Sequence, residues 1–560
     1  MKESLNTHHR LGPEDLTVWQ WLFESGQVYQ PPSSSHQVQG FTDVATKKHV
    51  SYTDVKNYAT ALSSALSTSY GFSEGDVAVV YSRNSLYFPV AALASVRVGG
   101  IACGASPDYN SDELSHTLRV SKAKFIFTAP DIADSAFAAA AKVGIPKENV
   151  FLVEGTRQGM KNVETLIDEG SRLSRQVASW KLPPGKTNKQ ICGYLGFSSG
   201  TTGLPKAIMI SHSNVIAQCL QMLEITPSDH RRILAALPFY HITGIVHQFH
   251  LPILLNAHVY VVPKFSLDVA LQAVVDYKVK ELLLVPPIII QLVRNPQLVA
   301  KYDLKHVERF SSGAAPLSQE ILTALEQQFP GTGFKQGYGM TESCSVICGH
   351  PPSKYDYKYA FKVGALVGST ELRIVDPATG KDCGTNTPGE LWARGPQITM
   401  GYLDNEKATA ETFDKDGFLH TGDVGMIDSE GMISITDRIK DMIKVKGIGV
   451  APAELEDLLL GHPLVSDVAV CGIADDRAGE RPKAYVSLKA NVAESPESAA
   501  KTLLSFVKDK KSRHKWVAEI EIVSIIPKSA AGKILRRKLR DGSGVDSIAV
   551  VRETVFKSKL

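Results

Sequence analysis

The stretch FSSGTTGLPKA, Phe197 to Ala207, gathers four hydroxyl side chains, two glycines and one lysine into eleven residues. Gly200 and Gly203 permit tight turns and close backbone approach, while Ser198, Ser199, Thr201, Thr202 and Lys206 can donate to phosphate oxygens. A flexible linker has the same composition, so the stretch alone leaves a phosphate cradle and a surface loop both open. Its spacing is not that of the G-x-x-x-x-G-K-[ST] phosphate loop, and KAIMIS, which follows, reads as a strand rather than a helix. Without a helix dipole behind it, an anion must be held by backbone N–H groups, the hydroxyls and the Lys206 charge.

Further residues suited to nucleotide chemistry lie in SSGAAPL (311–317), QGYGMTE (336–342), HTGD (420–423), DRIKDMIKVKG (437–447) and PKSAAGKILRR (527–537). Each has a plainer reading: Glu342 as a helix-capping acid, Asp423 as a turn acid, Lys533 as a surface lysine beside a basic run. Together with the first stretch they make six motifs whose order resembles the adenylate-forming superfamily. That superfamily contains acyl-CoA synthetases, 4-coumarate:CoA ligases, beetle luciferases and the adenylation domains of peptide synthetases. The resemblance spans about residues 40 to 545. It is nearest to the 4-coumarate:CoA-ligase type through LPFYHITG, LLVPPIIIQLV, YDLKHVERFSSGAAPL and GVAPAELE.

The resemblance implies an AMP-forming acid–thiol ligase that uses ATP, Mg²⁺ and coenzyme A. The 198–206 stretch would hold the β- and γ-phosphates. Glu342 would hold Mg²⁺ against the phosphates and Thr341 would contact the α-phosphate. Tyr338 would stack on adenine beside Gly313, Ala314 and Ala315, with Gln336, Gly337, Gly339 and Met340 completing that wall. Asp423 would bind the ribose hydroxyls, and Arg438 the ribose and phosphate. Lys533 would bridge the carboxylate and the α-phosphate during adenylation. Lys440 would be a hinge about which a mobile small domain rotates, bringing Lys444, Lys446 and Gly447 to AMP and the pantetheine arm for thioester formation. Tyr240, His241, Gly313, Gly337 and Val346 would line the acyl pocket, His241 with a part in catalysis. The chain departs from the 4-coumarate pattern at Gly449, where glutamine is usual, and at Ser343, Cys344 and Ser345 in MTESCSV, which puts hydroxycinnamate specificity in doubt.

These residues need a scaffold. Apolar runs such as VAVVYS and KFIFTA alternate with helix-like segments such as VKNYATALSSALST, which predicts an α/β fold with partly parallel sheets. The polar KLPPGKTNKQ, 181–190, leads into the strand ICGYLGF. Near residue 440 a new unit begins: in APAELEDLLLGHP, Pro452 suits a first helical turn and Gly461 its end, and DVAVCGI, AYVSLKA and EIEIVSII supply strands. The expectation is a large N-terminal domain, 1–439, of stacked α/β sheets with a small β-barrel-like part, and a small α+β domain, 440–560.

The composition, 43% hydrophobic and 21% charged over 560 residues, is that of a globular chain of two or more domains. Sixty-one basic against 58 acidic residues leave +3, too little for the broad positive field that nucleic-acid binding needs. The basic run KILRRKLR alternates with apolar positions and reads mostly as a solvated face. Seven cysteines without a C-x-x-C pair suit buried thiols better than disulfides or a zinc ribbon. Neither Cys344, Cys348 and His350 nor His241, His247 and His250 makes a convincing metal set. No secretory signal or membrane span is evident. Ser558, Lys559 and Leu560 spell the tripeptide read by the peroxisomal import receptor, so a peroxisomal protein with that receptor as partner is expected. The expected function is ligation of an aryl, arylalkanoic or medium-chain fatty acid to CoA. A free-standing adenylation enzyme that loads a carrier protein and a luciferase-type oxygenase are the alternatives.

Overall fold

The run VAVVYS forms the strand Val77–Tyr81, buried along its whole length, at the middle of a six-stranded sheet. In the computed structural model that sheet has the order Val150–Leu152, Ala123–Thr128, Val77–Tyr81, Ile101–Ala105, Cys192–Ser198, Lys206–Ser211. Its neighbours pair in parallel except the last two strands, which are antiparallel. Strands buried on both faces read as unbroken apolar runs, which is why VAVVYS and KFIFTA show no alternation. Helices Tyr52–Tyr70, Phe88–Arg97, Ser111–Ser121 and Ala133–Val143 connect the early strands. Their starts are locally encoded: Ser51 accepts from the Asp54 N–H while the Asp54 carboxylate accepts from the Ser51 N–H, and Asn110 and Glu113 repeat the box.

The structure describes residues 2–3, 12–26, 39–198, 205–439, 441–446, 448–475, 477–490, 492–528, 533–543 and 545–553. Ser199, Gly200, Thr201, Thr202, Gly203, Lys440, Gly447 and the terminal tripeptide, all singled out by the sequence, lie outside these residues, as does the side chain of Ser198. The chain divides into two compact units, one of Met1–Gly313, Phe329–Leu372 and Ala393–His420, the other of Ala314–Gln328, Arg373–Trp392 and Thr421–Leu560.

Within the first unit a second sheet runs Glu281–Leu284, Arg309–Ser312, Gly333–Tyr338 in parallel, then Cys348–Gly349 and Ala365–Leu366 antiparallel. A four-stranded sheet, Arg232–Ala235, His258–Val261, Gly40–Asp43, His49–Ser51, lies in the same unit. Phe239, fully buried, meets Phe41 at 6.3 Å and Phe88 at 5.8 Å between ring centroids. Burial of such a ring contributes about 1.5–3 kcal/mol, and here it fixes the chain immediately before Tyr240 and His241. Asn84 holds the same segment by donating to the Ala235 and Leu237 carbonyls and accepting from the Phe239 N–H.

A five-stranded sheet, Lys2–Glu3, Glu371–Val375, Gly389–Arg394, Leu419–Ile427, Ile433–Arg438, stands where the barrel-like part was expected. In the second unit, strands Ile448–Val450, Ile443–Val445, Gly479–Leu488, Glu519–Val523 and Ser547–Arg552 form one sheet, with Val465–Asp475 pairing Gly479–Leu488. Pro452 opens the helix Pro452–Leu460 and Gly461 closes it, as the sequence predicted. In the short helix Arg536–Asp541 the basic side chains Arg537, Lys538 and Arg540 are exposed, as the reading of KILRRKLR as mostly a solvated face expected; Arg536 is the exception. Arg536 is largely buried, 2.6 Å from Glu456 and 3.7 Å from Asp441, and Arg540 lies 3.4 Å from Asp441; Arg537 remains exposed. Basic residues one helical face apart can pair inward when the opposing carboxylates come from distant sequence. No helix among the described residues is long and apolar enough to cross a membrane.

Candidate active site

Lys206 opens the strand Lys206–Ser211, which pairs antiparallel with Cys192–Ser198 so that Ser198 stands opposite Lys206. The glycine- and hydroxyl-rich stretch is thus a connection between two strands of one sheet. A helix comes only after the second strand, where Ser211 caps His212–Glu224 by accepting from the Asn214 N–H. Asn214 donates from its amide to the carbonyls of Pro396 and Ile398, which fixes the segment Met400–Leu403 along the strand. There Met209 N–H donates to Gly401, Met400 N–H to Met209, and Leu403 N–H to Ala207.

This pairing brings Tyr402 over the start of the strand. The Lys206 ammonium lies 4.9 Å from the centre of the Tyr402 ring, and the Tyr402 hydroxyl donates to Glu342 Oε1 at 2.9 Å. The two residues expected at phosphate and Mg²⁺ are therefore joined through one phenol. Burial first, and then the neighbouring Glu342 charge, raise the Tyr402 hydroxyl well above its ordinary range, so it stays protonated as a donor. Tyr402 escaped the sequence reading; a tyrosine after glycine in MGYLDN was the only local sign. On the expectation of an acid:CoA ligase with Mg²⁺ at Glu342, Tyr402→Phe should lower acid-dependent pyrophosphate release about 10- to 100-fold, the worth of a hydrogen bond to a charged group, and raise the Mg²⁺ concentration needed for half-maximal rate. A magnesium titration of initial rates checks both.

Glu342 and Thr341 are buried in a tight turn, Thr341–Ser343, that follows the strand Gly333–Tyr338. A side chain on Gly196 would come within 2.6 Å of the Thr341 methyl, so the glycine lets this turn approach the first sheet. Gly339 is tighter still: a Cβ there would stand 1.7 Å from the Ser345 carbonyl. Gly339→Ala is expected to cost about 3 kcal/mol through forced backbone displacement, read as a lowered midpoint in denaturant unfolding. The turn is strained beyond it, with Cys344 at φ +47° and Ser345 at φ +106°.

SSG and QGYG sit at the carboxyl ends of adjacent parallel strands, with Ser312 opposite Gln336, the place where α/β sheets bind ligands. The Gln336 side chain donates to the Ala360 carbonyl and is buried scaffold. Tyr338 pairs with Cys348 and is half-buried. Met340 is held by its N–H donating to Ser343 Oγ at 3.0 Å. A Cβ on Gly313 would meet the Gly337 carbonyl at 3.2 Å, and one on Gly337 would meet Val346 at 3.9 Å, so these three acyl-pocket candidates adjoin one another. The Val346 N–H donates to the buried Gln218 at 2.6 Å. Tyr240 accepts from Ser106 at 3.3 Å, and its ring lies 5.9 Å from that of His241.

In the second unit Ala314 has φ +71°, and Ala315 follows it half-buried. Asp423 and Arg438 face each other across paired strands, with Arg438 Nε 3.0 Å from Asp423 Oδ1. Their charges are thus positioned mutually. Lys444 and Lys446 flank the turn to Ile448–Val450, each anchored by its backbone N–H, to the Glu480 carboxylate and the Ala478 carbonyl respectively, with exposed side chains. Lys533 is half-buried where the chain returns, next to the Lys528–Ile534 bridge and the Leu535 N–H to Pro527 bond. A side chain at Gly449 would press on the flexible end of Met442 at 2.6 Å.

No group of three or more His, Cys, Asp or Glu side chains able to hold a metal is present among the described residues. His250 donates from Nδ1 to the Ile245 carbonyl and pairs through Nε2 with the Tyr194 hydroxyl, and His350 donates to the Lys362 carbonyl. Cys344 and Cys348 are buried thiols.

Residues 28–403 match the family described as AMP-binding enzyme, and residues 454–533 match the AMP-binding enzyme C-terminal domain. The chain is 34% identical over 510 residues to the "Probable CoA ligase CCL5" of Humulus lupulus, with 90% of each chain covered. It is 34% identical over 504 residues to the "Peroxisomal OPC-8:0-CoA ligase 1" of Arabidopsis thaliana, with 89% of each covered. The solved anthranilate CoA ligase AuaEII, in complex with anthranoyl-AMP, shares the fold with a TM-score of 0.81 at 22% identity, covering 96% of this chain and 99% of that one.

Proposed function

Because the chain belongs to the AMP-binding enzyme family, we propose that it is an ATP-dependent carboxylic acid:CoA ligase, acting on an aryl, arylalkanoic or medium-chain fatty acid. The reaction has two halves. The carboxylate attacks the α-phosphate of ATP, giving acyl-adenylate and pyrophosphate; the CoA thiol then attacks the acyl carbon and AMP leaves. The observation that carries the first half is the Lys206–Tyr402–Glu342 group, which sets a cation and a carboxylate beside one strand-to-strand connection.

An anion approaching a polyanion is opposed mainly by electrostatics, so positioned positive charge is what the site must supply. In this reading Lys206 and the connection before it hold the β- and γ-phosphates, Thr341 the α-phosphate, and Lys533 the carboxylate and α-phosphate. Tyr338 lies on adenine, Asp423 on the ribose, and Arg438 on ribose and phosphate. Glu342, buried and accepting from the Tyr402 hydroxyl at 2.9 Å, offers the carboxylate that would hold Mg²⁺ arriving with the nucleotide. Bound there, the ion neutralises phosphate charge.

Thiol attack needs other groups at the same carbon, which we assign to Lys444, Lys446 and Gly447 on a domain, 440–560, that turns about Lys440. The terminal Ser558, Lys559 and Leu560 support peroxisomal import through its receptor. Purified protein given ATP, Mg²⁺ and a panel of acids should release pyrophosphate only with an accepted acid. ATP binding without acid-dependent release for any member would remove the ligase reading.

A further inference from the structure

Alternation along the second sheet puts Lys335 and Gly337 on one face, since they stand two residues apart on the strand Gly333–Tyr338. The register extends that face across the neighbours: Lys335 pairs with Ser311, Gly333 with Arg309, and Arg309 in turn with Glu281. Gly313, one residue past its strand, continues the alternation from Ser311. The surface that carries the acyl-pocket candidates Gly313 and Gly337 therefore runs, about 7 Å further down, into charged and hydroxyl side chains.

Those side chains form one cluster. Glu281, 3% exposed, lies 2.5 Å from the Lys335 ammonium and 3.2 Å from Arg309 Nε, and accepts from Ser311 Oγ at 2.7 Å. His230 Nδ1 is buried 3.4 Å from the Glu281 carboxylate and has no hydrogen-bond partner. Lys335 keeps 19% of its side chain exposed, so the cluster opens on the lysine side. His247 ties the cluster to the pocket: its Nε2 is 3.1 Å from Ser345 Oγ, one residue before Val346. Burial first, then the Lys335 and His230 charges, lower its pKa to about 4, against the opposing effect of Glu281.

We propose that Lys335, Glu281 and His230 are the polar floor of the acyl pocket and select a compact acid bearing an oxygen function at the end remote from its carboxylate. This rests on Gly313, Gly337 and Val346 being the acyl pocket of a ligase. A hydrocarbon end pressed onto the floor would strip water from the Lys335 ammonium without replacing its hydrogen bonds and would leave His230 Nδ1 unpaired. A hydroxyl or carbonyl there accepts from the Lys335 ammonium, and a hydroxyl also donates to His230 Nδ1. Sites built to bond a substrate hydroxyl discriminate strongly against the analogue lacking it.

The test uses the full chain and acid pairs that differ only in the remote oxygen, 6-hydroxyhexanoate against hexanoate and 3-(4-hydroxyphenyl)propanoate against 3-phenylpropanoate. For at least one pair, kcat/KM for the oxygen-bearing acid should exceed its partner by about 100-fold or more. Lys335→Met should bring that ratio to near one without changing KM for ATP, and Lys335→Arg should keep most of it. Turnover with ratios near one in the parent chain, or a ratio that survives Lys335→Met, would overturn the floor alone. Loss of every acid-dependent signal with ATP still bound would overturn the ligase reading and the floor together.

Discussion

Lys533→Ala is expected to lower acid-dependent pyrophosphate release by about 10²–10³-fold, while CoA thioester formation from supplied acyl-adenylate continues near the parental rate. The asymmetry follows from where charge develops. During adenylation the attacking carboxylate and the α-phosphate both carry negative charge, and a donor shared between them acts most in the transition state. In the second half the pyrophosphate has left and a thiol attacks an activated carbonyl, so a cation at the old position has little left to stabilise. Lys533 is half-buried at the return of the 527–535 segment rather than waving from the surface, which suits such a task. Rapid-quench measurement of both halves separates the outcomes, and equal loss in the two would count against this assignment.

Lys206→Ala is the second large effect. Removing this ammonium should slow adenylate formation about 10²-fold and raise KM for ATP, again sparing thioester formation from supplied adenylate. Lys206 meets the Tyr402 ring and Tyr402 donates to Glu342, so in the proposed reading the three side chains act as one unit. Lys206→Ala combined with Tyr402→Phe should therefore lose less than the product of the two separate losses. Strictly multiplicative losses would mean that the contact seen here has no part in catalysis.

The strand after Lys206 was legible because KAIMIS carries its own apolar pattern, and reading it sufficed to exclude a strand–loop–helix phosphate site. The start and end of the helix Pro452–Leu460 were legible, since proline in the first turn and glycine at the end act locally. Tyr402 was not: it reaches Lys206 through pairing between segments nearly two hundred residues apart, and a lone tyrosine in an irregular stretch has no periodicity to betray it. The same holds for Arg536, whose partners Glu456 and Asp441 are remote in sequence. Glu281 and Lys335 stood in apolar strand runs as odd charges, but only the register of three strands shows that they share a face. Nor does anything local announce that Ala314–Gln328 and Arg373–Trp392 join Thr421–Leu560 in one compact unit.

The most direct measurement is product analysis by mass spectrometry after incubating the full chain with ATP, Mg²⁺, CoA and an accepted acid. Acyl-CoA, AMP and pyrophosphate should form in equal amounts, with acyl-adenylate building up only when CoA is omitted. Acyl-adenylate that persists in the presence of CoA, and passes instead to a carrier-protein thiol, would contradict a CoA ligase.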